Sequence, residues 1–454
     1  MTDILALLQC IAPLISKTTL RQLSRVILGM LMMTGRVTML GISRWTDKGG
    51  SYRTIQRLYH TRIPWADVLW TFFQKRLWDP KGEYFLAGDE VVCSKAGKET
   101  YGLDRFFSSL QQRPIAGLAF FAFSLVNVRE EKSYPVRIDQ VVRSDEEKAA
   151  SKAKKDKQPG EKRKRGRPKG SKNKKNRAVV LNAELQRIQV ALMAFLEQIG
   201  KVLALKYLVM DGHFGNYPSA VMVTRAGLQL ISKLRQDAAL YFTFTGTYPG
   251  VGPHPKYGDR VNVRKLDQKY LKESTVEKNI RTDIYQAELL NKEFALPLNV
   301  VIVLKTNLDT QAQAHVILFS TDLELNYDKL IQFYSLRFQI EFNFRDAKQY
   351  WGLEDFTSSR CSCGMNIEKI AVTNAANLAF FLVNLSQVLL RRFQPTNPDF
   401  SILDLKAHYH GYRYAVETIK MLPEKPDAII LADIFEQIAR LGMIHPTLEP
   451  SVST

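Results

Sequence analysis

The sequence predicts an α/β protein: a mixed β-sheet core, interrupted by a β-rich segment and flanked by helical regions at both ends. Three observations predict it. Up to about residue 78 apolar residues recur at helical spacing, with Leu20, Leu23, Val26, Ile27, Met30 and Met33 forming one stripe. From Glu83 the pattern changes to short, nearly continuous apolar runs, as expected of strands buried on both faces. From about Tyr327 the helical period returns and persists toward the C-terminus.

Taken in order, residues 1–78 read as a helical DNA-binding region. A turn at Asp47-Lys48-Gly49-Gly50 leads to Ser51, a good N-cap for a helix that carries Arg53 and Arg57. This is equally a helix-turn-helix-like DNA reader and a small bundle with a solvated basic face. Residues 79–237 hold the first part of the core. Tyr84 to Asp89 is a strand ending at an acidic residue, and Ile115–Val128 and Tyr134–Val142 are two more. A basic insert (145–178) follows, then a helix from about Val179 to Gly200. Tyr207 to Met210 is a short strand ending at Asp211, before a helix near Tyr217–Ala226 and a strand at Leu228–Lys233. Three strands, a helix, then strand–helix–strand is the order of an RNase-H-like core.

Residues 238–304 form the β-rich insertion, with strands expected at Tyr241–Thr245, Arg260–Val263, Ile284–Leu290 and Asn299–Leu304. Residues 305–360 return to the core through a strand at His315–Phe319 and one long helix from Tyr327 to Tyr350, stopped by Gly352. Residues 361–454 form a C-terminal helical region.

Composition narrows the class of function. At 454 residues the chain suggests roughly three structural units and a core that needs no disulfides. With 45% apolar and 24% charged residues it is not a mostly disordered chain. Lys+Arg outnumber Asp+Glu by 64 to 45, a net charge of +19. Residues 148–177 alone carry 15 Lys/Arg against 2 Asp/Glu, a net +13, which points to a polyanionic partner and a localised contact. Met1-Thr2-Asp3 lacks the basic start of a secretory signal. The apolar run Ile370–Leu390 contains Asn374, Asn377 and Asn384, so it reads as a core helix and no membrane partner is expected. Cys10, Cys93, Cys361 and Cys363 show no disulfide framework or zinc spacing, in keeping with reduced thiols and a cytoplasmic location.

The sharpest chemical signal lies on the long helix. Tyr334, Arg337, Glu341 and Lys348 fall within roughly 60° of arc at about 100° per residue. One face then presents a phenol, a guanidinium, a carboxylate and an ammonium, a set able to ligate Mg²⁺ while gripping phosphates. The alternative is a solvated face with an Arg337–Glu341 ion pair.

The spacing Tyr-x₂-Arg-x₃-Glu-x₆-Lys resembles the signature of a group of bacterial insertion-sequence DDE transposases, the insertion-sequence-four-like superfamily. The resemblance runs from Tyr84 to Phe356. It includes Gly88-Asp89-Glu90 followed by Ser94-Lys-Ala-Gly-Lys98, and Asp211-Gly-His-Phe-Gly-Asn216. It implies a cut-and-paste transposase in which Asp89, Asp211 and Glu341 hold two Mg²⁺ ions, with Mn²⁺ as a substitute. Tyr334, Arg337 and Lys348 would grip DNA near the transposon end. Double-stranded DNA, both terminal repeats and target, is the implied partner, with a homodimer at synapsis and a nucleoid-associated location in a bacterial cytoplasm. The alternatives are a non-catalytic AT-rich DNA-binding regulator and a structure-selective nuclease on the same core. Several relatives stack a flipped base on a Trp of the β insertion. All five Trp here (Trp45, Trp65, Trp70, Trp78 and Trp351) lie outside it, leaving Tyr241, Phe242, Phe244, Tyr248 or Tyr257 for that task.

The basic insert contains Lys164-Arg165-Gly166-Arg167-Pro168-Lys169-Gly170, which resembles an AT-hook. Gly166 and Pro168 keep such a strip narrow and extended, so that Arg165 and Arg167 can enter an A·T minor groove. A non-specific polybasic linker is the alternative. His213, two residues after Asp211, reads as a capping or loop-packing residue.

Overall fold

The computed structural model describes residues 2–445, apart from 47–48, 96–99, 109–110, 150–178, 201, 248–249, 251–253 and 356–367. Arg165, Gly166, Arg167 and Pro168 of the hook-like insert, Tyr248, Cys361 and Cys363 therefore lie outside the described residues.

The chain opens with helices α1 (Thr2–Leu8), α2 (Lys17–Met32), α3 (Met39–Trp45), α4 (Tyr52–Tyr59) and α5 (Trp65–Arg76). The expected apolar stripe is the buried face of α2, against which α3 and α4 pack. Ser51 caps α4, its side chain accepting from Thr54 N. Arg53 and Arg57 stand exposed on that helix.

Among the described residues, twelve strands form one sheet. Toward one end of it, β1 (Tyr84–Ser94) is antiparallel to β3 (Arg113–Asn127), which is antiparallel to β4 (Lys132–Val141). On its other side β1 runs parallel to β5 (Tyr207–Met210), and β5 parallel to β6 (Gln229–Leu234). Helix α6 (Ala183–Ile199) connects β4 to β5, and α7 (Tyr217–Arg225) connects β5 to β6. The spatial order β4-β3-β1-β5-β6 is RNase-H-like, as expected from the sequence.

A strand not expected from the sequence, β2 (Asp104–Ser108), lies end to end with β4 along the same edge of β3. Asp104 opens that strand. Only Phe106 of its five residues is buried, so no apolar run announces it.

The β-rich segment holds β7 (Leu240–Thr243), β8 (Tyr257–Arg260), β9 (Leu271–Glu277), β10 (Ile280–Asn291) and β11 (Leu298–Asn307), and β12 (Gln313–Ser320) follows. It continues the core sheet edge to edge: β12 pairs antiparallel with β6 on one side and with β11 on the other. The expected division at residue 304 falls inside β11.

The long helix expected from Tyr327 to Tyr350 is two helices, α8 (Tyr327–Leu336) and α9 (Gln339–Gln349). No Gly or Pro marks the joint. There the bonds tighten to three-residue spans, Phe338 N to Ser335 O, Ile340 N to Arg337 O and Glu341 N to Phe338 O. The cause is tertiary: α8 packs on β12, β6, β11 and β5, whereas α9 packs on β1, β3 and β4, and the twist between these halves of the sheet redirects the chain. After α9, Gly352 adopts φ +76°, close to Val37 of the α2–α3 loop.

The C-terminal helices are α10 (Lys369–Leu390), α11 (Ile402–Met421) and α12 (Ala428–Arg440). α10 is long and apolar enough to cross a membrane, but most of it is buried against β4, α9, α5, α4 and α11. Its asparagines have interior partners. Asn374 donates to Tyr59 O and Thr61 O, both at 2.8 Å, and accepts from Trp65 Nε1 at 2.7 Å. Asn384 donates to Pro135 O at 2.7 Å, and Asn377 to Thr373 O at 3.0 Å.

Candidate active site

Sheet register builds the site. β1 and β5 are parallel neighbours, and their last paired residues are Gly88 and Met210. The next residue of each strand is acidic, so Asp89 and Asp211 stand abreast where the two strands part. Asp211 turns the chain: its Oδ1 accepts from His213 N at 3.0 Å and starts a 3-10 turn at Gly212–Phe214. The Ser232 hydroxyl on β6 donates to Asp211 O at 2.7 Å, fixing the strand end from the other side. Nothing in the local sequence singled out Ser232, because its partner lies 21 residues away in the chain.

The split of the long helix changes the expected single face. Tyr334 is on α8, Arg337 caps it, and Glu341 and Lys348 lie on α9. Arg337 nonetheless ties the two helices to β1. Its Nη1 donates to Asp89 Oδ2 at 3.0 Å and its Nη2 to Glu341 Oε1 at 3.3 Å. The Arg337 side chain is 12% exposed, against 20% for Asp89 and 41% for Glu341. The Tyr334 ring lies 5.8 Å from the guanidinium carbon.

Lys348 is directed elsewhere. Its ammonium donates to Val92 O at 3.0 Å and pairs with Glu354 at 3.0 Å, farther along β1 than Asp89. Tyr334, Arg337 and Glu341 thus share one neighbourhood, whereas Lys348, two turns beyond Glu341 on the same helix, meets β1 farther along.

Electrostatics agree with this grouping. Burial pushes the Asp89 carboxyl up to about 6; Arg337 opposes the rise, while the negative charges of Asp211 and Glu341 add to it. Burial also raises the Tyr334 phenol, with Arg337 opposing and Asp211 and Asp89 adding. Two carboxylates thus share one buried cation, and the Asp211 charge acts on Asp89 beside them. Among the described residues, no three His, Cys, Asp or Glu side chains are close enough to grip a metal ion without rearrangement.

Glu90 belongs to the opposite side of β1, as strand alternation predicts. Burial, with the neighbouring Glu184 charge on α6, pushes it up to about 7. Glu184 also pairs with His213 Nε2 at 3.3 Å, raising the imidazole. His213 is thus a loop-packing residue held by α6, as expected.

In the sheet extension, Tyr241 and Tyr257 meet at 5.5 Å with Lys292 4.6 Å over Tyr241. Phe242 stacks on Tyr270 at 5.1 Å, and Phe244 meets His254 at 6.2 Å.

The charge also has an address beyond the insert. Residues 1–64 contain nine Lys/Arg and two acidic residues, a net +7, which with the +13 of residues 148–177 accounts for the whole positive excess. The remaining residues are close to neutral.

The family model described as DDE superfamily endonuclease matches residues 7–292. The match contains Asp89 and Asp211 and ends before Glu341. No curated protein matches the chain.

Proposed function

Since the chain belongs to the DDE superfamily endonuclease family, we propose that it is a cut-and-paste DNA transposase whose active site is Asp89, Asp211 and Glu341. The observation that carries this reading is the pair of aspartates abreast on β1 and β5, with Arg337 joining Asp89 to Glu341 on α9. The donor set fits the metal that such chemistry uses. Carboxylate oxygens from two strand ends and one helix are hard ligands suited to Mg²⁺, with Mn²⁺ as a substitute. The cation they already enclose is a side chain, so the cluster has the charge to hold a replacement. When bound, two such ions would activate a water or 3′-hydroxyl and stabilise the leaving oxygen during in-line attack on a phosphodiester.

The protein's own residues supply binding and orientation. Arg337 and Tyr334 border the carboxylates and offer donors to the DNA backbone. Lys348, anchored on Val92 O, extends that strip along β1. Arg53 and Arg57, exposed on α4 of a tightly packed three-helix unit, are placed to contact duplex DNA. Arg165, Gly166, Arg167 and Pro168 add an A·T-seeking hook from the insert. Two chains would synapse two transposon ends as a homodimer in a bacterial cytoplasm, at the nucleoid.

The deciding experiment incubates full-length protein with DNA carrying the terminal repeats that flank the gene, in Mg²⁺ or Mn²⁺. Ends are cleaved and joined to a target by the wild type. Asp89→Asn, Asp211→Asn and Glu341→Gln each lose cleavage by at least about a hundredfold. Wild-type cleavage in all three variants overturns the assignment. Cleavage without joining identifies a nuclease on the same core, and binding without cleavage a regulator.

A further inference from the structure

Arg337 occupies the space that the carboxylates need for metal. One guanidinium spans Asp89 and Glu341, with its Nε buried and unpartnered among the described residues. The carboxylate oxygens it engages, Asp89 Oδ2 and Glu341 Oε1, are donors that a divalent ion would require. A dication entering beside a fixed guanidinium also meets like-charge repulsion, strengthened by burial. Arg337 and metal therefore compete for the same oxygens.

The side chain is equipped to leave. Two of its five N–H groups are engaged with carboxylates, and its planar fork matches two oxygens of a phosphate at least as well. It sits at the α8–α9 joint, where the helical bonding is already interrupted, so its backbone is not locked inside a continuous helix. Glu341, its partner on α9, is 41% exposed.

We propose that Arg337 is the resident cation of the carboxylate cluster, keeping it closed to divalent metal until a DNA phosphate draws the guanidinium away. Metal loading is then coupled to DNA binding: each ligand favours the other because both require the same displacement. Arg337 acts here as a positioning residue, and the inference rests on reading Asp89, Asp211 and Glu341 as the metal ligands.

The test measures Mn²⁺ binding to full-length, metal-free protein without DNA, by electron paramagnetic resonance of the free ion. Arg337→Gln binds Mn²⁺ about tenfold more tightly than wild type, since the competing cation is gone while both carboxylates remain. Equal or weaker binding overturns the proposal. If Arg337→Gln does not fold, Arg337→Lys replaces it. An ammonium cannot fork to both carboxylates, so its Mn²⁺ affinity lies above that of wild type, and an unchanged affinity overturns the proposal equally.

The coupling is read by fluorescence anisotropy of a labelled duplex in Ca²⁺ and in EDTA, without turnover. Ca²⁺ raises wild-type DNA affinity about tenfold and leaves that of Arg337→Gln nearly unchanged; equal gains refute the coupling. Asp89→Asn separates the two readings. If it binds Mn²⁺ as wild type does, the ligand assignment fails. If it loses Mn²⁺ while Arg337→Gln matches wild type, the assignment stands and the competition is removed.

Discussion

Replacing Asn374 by Leu tests whether one buried amide joins the N-terminal helices to the core. Asn374 is 4% exposed and Trp65 is 5% exposed, so neither has access to compensating water. The substitution removes the donors to Tyr59 O and Thr61 O and the acceptor of Trp65 Nε1. Each buried polar group left unpaired costs about 1–3 kcal/mol, with the carbonyls taken at about 1 kcal/mol each. The total comes to about 3–4 kcal/mol.

With an unfolding entropy of roughly 2 cal/mol/K per residue, a chain of this length melting as one unit loses about 3–4 °C. Trp65→Phe, which strands only the Asn374 oxygen, costs about 1–2 kcal/mol. The double variant is less destabilised than the sum, by about 1 kcal/mol, because each single change strands a group that the other removes. Urea unfolding followed by circular dichroism measures all three. A cost below about 1 kcal/mol for Asn374→Leu, or strict additivity, refutes the reasoning.

Three further outcomes follow from the geometry. Gly352→Ala costs about 2 kcal/mol, because φ +76° disfavours any side chain and its Cβ would run into Val37; an unchanged melting temperature contradicts this. Asp89 and Glu90 are raised to about 6 and about 7, so the stability they contribute is complete below about pH 4 and lost as pH rises through those values. The metal-free protein accordingly melts at a lower temperature at pH 8 than at pH 5 from these groups, and Asp89→Asn flattens the dependence; a slope as steep as wild type's removes Asp89 from the account. Arg53→Ala and Arg57→Ala each reduce the salt dependence of duplex binding by about one charge without changing thermal stability, and an unaltered slope takes α4 off the DNA.

What the sequence revealed follows burial. β1, β3, β5 and β6, with α6 and α7 between them, are apolar enough on their inner faces for the RNase-H-like order to be read directly. β9 was not foreseen, because LKESTVE is polar, mostly exposed and held by pairing with β10. The α8–α9 joint was equally invisible: its cause is the sheet beneath it, and no breaker residue appears in the chain. At the site, the residue types around Asp89, Asp211 and Glu341 were legible as chemistry. The guanidinium between two of those carboxylates was not, since Asp89 and Arg337 are 248 residues apart.

The seam between β6 and β12 has a consequence for synthesis. β6 ends at Leu234, whereas the strand that covers its edge begins at Gln313. At roughly 5–20 residues per second, a ribosome leaves that edge open for several seconds after β6 emerges. The exposed face is the row of backbone donors and acceptors on an apolar strand, the kind of surface that recruits another chain. The nascent protein therefore passes through a window in which its half-built sheet is prone to mispairing, and the window closes before α9 and Glu341 arrive. The enzyme's soluble yield should depend on how fast residues 235–312 are translated, a quantity set by codons and temperature rather than by the folded state.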